Sequence, residues 1–192
     1  MQIPTDRITK RERTEGMKIH SGFTFVELMV VITIVAMLLG LGVPSYRYVT
    51  NSSRISAEVN GLLGDLQFAR SEALKEGGTV TVCPPDTTGL VCGNSSTWDQ
   101  GWIVTSPNVT PGLLRVQKPF ATTKDSFVGA LGLTSISFDR NGFASAQPVE
   151  ATGAPIVVKL TTTPNNANWQ RCVETLVGGA IATEKYNQGN CK

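Results

Sequence analysis

The chain has 192 residues, 41% hydrophobic and 17% charged, enough for one modest domain beside a membrane segment and too few for two. Its net charge of +2 is uneven: residues 1–22 hold five Lys/Arg and three Asp/Glu, so residues 23–192 carry 12 of each and are formally neutral. The sequence pI of about 8.4 is therefore no argument for a nucleic-acid partner. The only histidine, His20, lies in the first segment, which excludes Ser-His-Asp or Cys-His catalysis and His-ligated metal from the rest.

Residues 1–22 are polar and charged and read as a leader outside the fold. A start at Met17 would shorten it to Met17-Lys18-Ile19-His20-Ser21-Gly22. Residues 23–43 then form an apolar run of 21 residues with one charge, Glu27. As a helix rising ~1.5 Å per residue, this run matches the roughly 30 Å hydrocarbon core of a bilayer. The leader's excess of cations fits the side of a membrane that retains positive charge. A secretory signal would be shorter and would end in a small-x-small cleavage site. A plain anchor leaves Glu27 unexplained, since a carboxylate at that depth costs about 2–3 kcal/mol or more without a partner.

Gly22-Phe23-Thr24-Phe25-Val26-Glu27-Leu28 resembles the processing site of type IV prepilins and of type II secretion pseudopilins. The resemblance implies cleavage after Gly22 by a prepilin peptidase, N-methylation of Phe23, and use of Glu27 in filament assembly. It also makes Pro44 the expected helix kink and implies a single pass through the inner membrane, with a periplasmic C-terminal domain. Cleavage would expose an α-ammonium on Phe23, with an unperturbed pKa of ~8. Glu27 would pair with that group on a neighbouring subunit or on its own chain, one helical turn away.

The helix is expected to resume after Pro44. Ile55, Val59, Leu62, Leu66, Ala69 and Ala73 recur at steps of four and three, one face of an amphipathic helix. Gly77-Gly78 marks its end. Beyond it, residues 79–83, 102–105, 113–118, 135–139, 156–161 and 171–176 read as strands, with a last one at 180–183. Arg140-Asn141-Gly142-Phe143 carries a hairpin turn signal. The expected fold is α+β: a leader (1–22), a long helix with a membrane half and an amphipathic half (23–76), and an antiparallel β-sheet domain packed on it (77–192).

Cys83, Cys92, Cys172 and Cys191 form an even set in an exported domain and point to two disulfides. Four cysteines allow three pairings, and the expected one is local, Cys83–Cys92 with Cys172–Cys191. A Cys₄ zinc site would want closer Cys-x₂₋₄-Cys pairs. No metal or other cofactor is expected. Glu72 and Glu76 read as solvated helix charges, and Trp98, Trp102 and Trp169 as packing residues. The Asn-x-Ser/Thr triplets at Asn51, Asn94 and Asn108 read as chance.

Gln67-Phe-Ala-Arg-Ser-Glu-Ala73, Val80-Thr-Val-Cys-Pro84, Trp98-Asp-Gln-Gly-Trp-Ile-Val104, Ile136-Ser-Phe-Asp-Arg-Asn-Gly-Phe143 and Arg171-Cys-Val173 resemble the GspH/FimT/FimU group of minor pilins and pseudopilins. The resemblance implies a non-enzymatic minor pilin acting in pilus assembly or initiation, with other pilins or pseudopilins as partners. The alternatives are a secretion pseudopilin and a DNA receptor for natural transformation. DNA-binding members carry a Gly-Arg-x-Arg motif near the C-terminus, where this chain reads Val177-Gly178-Gly179-Ala180-Ile181-Ala182. Arg115, Lys118, Lys124 and Arg140 are the remaining candidate DNA contacts, scattered along the chain.

Overall fold

The computed structural model describes residues 22–120, 123–148, 154–163, 166–187 and 190–191. The leader up to Ser21, with Met17 and His20, lies outside them. One helix, α1, spans Phe25–Glu76 and runs through Pro44. The chain divides within it into two compact units, Met1–Ser45 and Tyr46–Lys192.

In the first unit, the described residues are helix and a short non-helical lead-in, and every one is exposed. Proline has no N–H to give the carbonyl of Gly40, so Pro44 leaves one gap in the helical ladder.

The second unit has a core. Its helical part buries Ile55, Val59, Leu62, Leu66, Ala69 and Ala73, the six positions of the predicted stripe. The helix ends in a left-handed Gly77 with φ of 65°, and the Gly78 N–H reaches back to the Ala73 carbonyl at 3.2 Å. This is the Schellman closure that glycine permits without steric cost.

Among the described residues, ten strands follow in two antiparallel sheets. They are β1 (Val80–Cys83), β2 (Trp102–Thr105), β3 (Leu113–Gln117), β4 (Asp125–Gly129), β5 (Ser135–Phe138), β6 (Ala144–Gln147), β7 (Ile156–Thr162), β8 (Arg171–Thr175), β9 (Ile181–Asn187) and β10 (Asn190–Cys191). The first sheet has the order β3-β2-β1-β5-β6, the second β10-β9-β8-β7-β4. Three strands went unpredicted: β4, β6 and β10. The two sheets are joined where the Trp98 N–H donates to the Phe127 carbonyl at 2.7 Å and the Ala144 N–H to the Val177 carbonyl at 2.8 Å.

Aromatic side chains fill the space beneath the helix. Trp98, Trp102 and Phe127 are fully buried. The Trp102 ring lies 6.1 Å from both Phe127 and Phe120. Both indoles satisfy their N–H groups, Trp98 on the Leu133 carbonyl at 3.1 Å and Trp102 on the Asp65 carboxylate at 2.9 Å. Trp169, 8% exposed, packs 5.6 Å from Tyr48. The tryptophans are thus packing residues and form no open platform.

The hairpin signal at residues 140–143 produces a longer turn than a two-residue Asn-Gly loop. Asp139 accepts the N–H groups of Asn141 and Phe143 at 2.8 and 2.9 Å, and Gly142 takes the left-handed conformation at φ of 78°. Those backbone donors hold the Asp139 carboxyl below its ordinary range.

The cysteines pair as Cys83–Cys92, closing the loop after β1, and Cys172–Cys191, tying β10 to β8. By closing loops in the unfolded chain, each such link typically contributes about 2–4 kcal/mol.

Candidate assembly site and the charged clusters

Gly22 and Phe23 precede α1, and Phe23 is 77% exposed. Thr24 caps the helix: its hydroxyl accepts the Glu27 N–H at 3.2 Å, and its carbonyl accepts the Leu28 N–H at 3.1 Å. Thr-x-x-Glu is a capping-box sequence, a signal that reading Glu27 only as a buried charge missed. The carboxylate therefore sits in the first turn, where the positive end of the helix dipole favours it.

Beyond Glu27, residues 28–43 present an apolar surface, and the helix is long and apolar enough to cross a membrane. Thr33 turns its hydroxyl back onto the Met29 carbonyl at 2.7 Å, which hides the one polar side chain between Glu27 and Pro44. Such a surface must be covered by lipid or by other helices, at about 25 cal/mol per Å² of apolar area.

The four candidate DNA contacts lie on separate elements. Arg115, on edge strand β3, binds Asp65 at 2.9 Å and lies 3.8 Å over the Phe68 ring. Lys118 follows the same strand. Arg140 lies in the β5–β6 turn, three strand spacings away, roughly 14 Å at ~4.8 Å each. Lys124 precedes β4 in the other sheet.

A second charged cluster links α1 to β4. Arg54 holds Asp125 with two hydrogen bonds, Nε to Oδ2 at 2.6 Å and Nη2 to Oδ1 at 3.1 Å, and Asp125 is buried. Arg54 Nη1 also donates to the Asn51 side chain at 3.1 Å. Glu58, one helical turn on, adds a second carboxyl, and its Oε2 is buried without a partner. Burial first, then the neighbouring Asp125 carboxylate, push Glu58 up to about 7, and Arg54 offsets them only in part.

A carboxyl raised in the folded state binds its proton there more tightly than in the unfolded chain. Its stabilising contribution is complete below about pH 4.5 and is lost as pH rises through about 7. Glu58→Gln should therefore flatten this slope. After discounting for partial exposure, the variant should be more stable than the parent by about 1–2 kcal/mol at pH 8 and no more stable at pH 4.5. Urea unfolding of residues 46–192 at the two pH values is the check. A gain of equal size at both would show that Glu58 is not the titrating group.

A family model described as "Type II transport protein GspH" matches residues 58–179. A second, the prokaryotic N-terminal methylation motif, matches residues 17–43. Among solved structures, the type IV minor pilin FimU of Pseudomonas aeruginosa superposes with a TM-score of 0.53 at 16% identity, covering 69% of this chain and 89% of that one. Another crystal form of FimU gives 0.47 at 17%, covering 68% and 90%. At such identity the likeness speaks to the fold alone. No curated protein matches by sequence.

Proposed function

Since the chain belongs to the GspH family, whose model covers most of its length, we propose that it is a minor type IV pilin taking part in pilus assembly or initiation. In this reading a prepilin peptidase cuts between Gly22 and Phe23, Phe23 is N-methylated, and the apolar half of α1 stays in the inner membrane until the subunit joins a filament. The observation that carries it is the single helix, which pairs an uncovered apolar half bearing one carboxylate with a half that is the spine of a folded domain. An anchor alone requires neither Glu27 nor that continuity. The N-terminal methylation motif and the FimU-like fold support the same reading.

The family's description, a type II transport protein, favours a second reading as a secretion pseudopilin. The two share one assembly chemistry, so the phenotype must separate them. Deleting the gene and scoring surface pili, secreted proteins and DNA uptake side by side is the test. Loss of pili with secretion intact is expected. Loss of secretion with pili intact would move the chain to the secretion reading. A DNA receptor has less support, because sequence-independent DNA binding needs clustered Lys/Arg. Here residues 23–192 are neutral, and Arg115 already pairs with Asp65. Failure of DNA uptake with pili and secretion both normal would restore that reading.

A further inference from the structure

Arg70 differs from Arg54 and Arg115, the two arginines that form ion pairs at α1. Arg54 and Arg115 each sit on a carboxylate. Arg70 instead donates to two backbone carbonyls of the β8–β9 turn, Nη1 to Gly179 at 2.7 Å and Nη2 to Gly178 at 3.3 Å. Its Nε is buried without an acceptor. No ion pair to it is formed among the described residues, and Glu72, two positions on, is taken by Lys75 at 2.7 Å. Two glycines make room for the guanidinium: a Cβ on Gly179 would stand 2.8 Å from Nε, and one on Gly142 3.1 Å. The charge is thus fixed in place and not neutralised.

A groove of about 440 Å³ opens beside it, lined by Gln67, Ser71, Leu74, Ala180 and Ile181. Leu74 is 51% exposed at its rim. We propose that this groove receives an Asp or Glu side chain of a neighbouring filament subunit, seated on Arg70 between aliphatic walls. The proposal rests on reading the chain as a filament subunit.

Charge complementarity identifies the occupant. A guanidinium has five N–H donors, and the two carbonyls leave outward donors on the Nη atoms for an acceptor. A carboxylate matches that planar fork, and flanking apolar side chains strengthen the pairing by lowering the local dielectric. A nucleic acid fits poorly, because a phosphate backbone needs several cations together. This region offers Arg70 and, in the β5–β6 turn, Arg140.

The test uses the full chain in its own membrane. A photo-crosslinking residue replaces Ser71, an exposed position beside Arg70, and irradiation is followed by mass spectrometry of the captured peptide. The expected product is a peptide of another filament subunit with an Asp or Glu within a few residues of the link. Gln67→Glu should cut capture by about twofold, because it supplies Arg70 with a carboxylate one helical turn away in the same chain. It leaves Arg70's turn-holding hydrogen bonds in place, which Arg70→Ala would not. A subunit peptide without an acid, capture indifferent to Gln67→Glu, a nucleic-acid adduct, or no capture from assembled filaments would each overturn the groove while leaving the pilin reading intact. An unprocessed chain absent from filaments would instead defeat that reading.

Discussion

Glu27→Ala is expected to leave a processed, membrane-held protein whose share in sheared filaments falls by about tenfold or more. Glu27 is the single charge on an apolar surface of 21 residues. Within a bilayer an unpaired carboxylate is costly, so a subunit that offers it a cation gains at least the ~1.4 kcal/mol that tenfold requires. The α-ammonium that cleavage would create on Phe23 is such a cation. The Thr24 cap supplies a rival account, in which Glu27 merely completes a capping box. Glu27→Gln separates the two, because glutamine serves a capping box but carries no charge. The assembly role predicts that alanine and glutamine variants fail alike, as read by immunoblot of the filament and membrane fractions. Normal incorporation of the glutamine variant would reduce Glu27 to a cap.

Arg54→Ala should destabilise the 46–192 unit by about 3–5 kcal/mol, the range found when one partner of a buried ion pair is removed. Asp125 is fully buried in its side chain, and Arg54 supplies two hydrogen bonds to it. Without the guanidinium, the buried Asp125 carboxyl would face the half-buried carboxyl of Glu58, which burial and the neighbouring Asp125 already push above its ordinary range. Arg54→Ala with Asp125→Asn should recover part of the loss, since the asparagine leaves no charge stranded. Denaturant unfolding of the single and double variants reads this directly. A loss under about 1 kcal/mol for Arg54→Ala would mean that the pair behaves like a surface salt bridge.

The parts of the fold legible in the sequence are those with local periodicity. The run after Gly22 and the stripe from Ile55 to Ala73 announce themselves through composition and a helical repeat. β2 and β7 are rich in β-branched and aromatic residues. By contrast β4 begins with Asp125 and ends with Gly129, and β6 is Ala-Ser-Ala-Gln, so neither has β-prone composition. Gly129 is needed there because a Cβ would meet the Leu133 carbonyl at 2.4 Å. The division into two sheets depends on contacts far apart in sequence, such as Ala144 with Val177. Arg54 meets Asp125 across 71 residues and Arg70 meets Gly179 across 109, and no local pattern encodes either pairing. The Thr24 cap was legible, since Thr-x-x-Glu stands in the sequence.

A chain processed into a filament subunit must carry the cut at its mature N-terminus. Protein extracted from the membrane, digested and examined by mass spectrometry should yield a first peptide beginning at N-methylated Phe23. An intact leader, or a first residue beyond Pro44, would rule out processing as a prepilin.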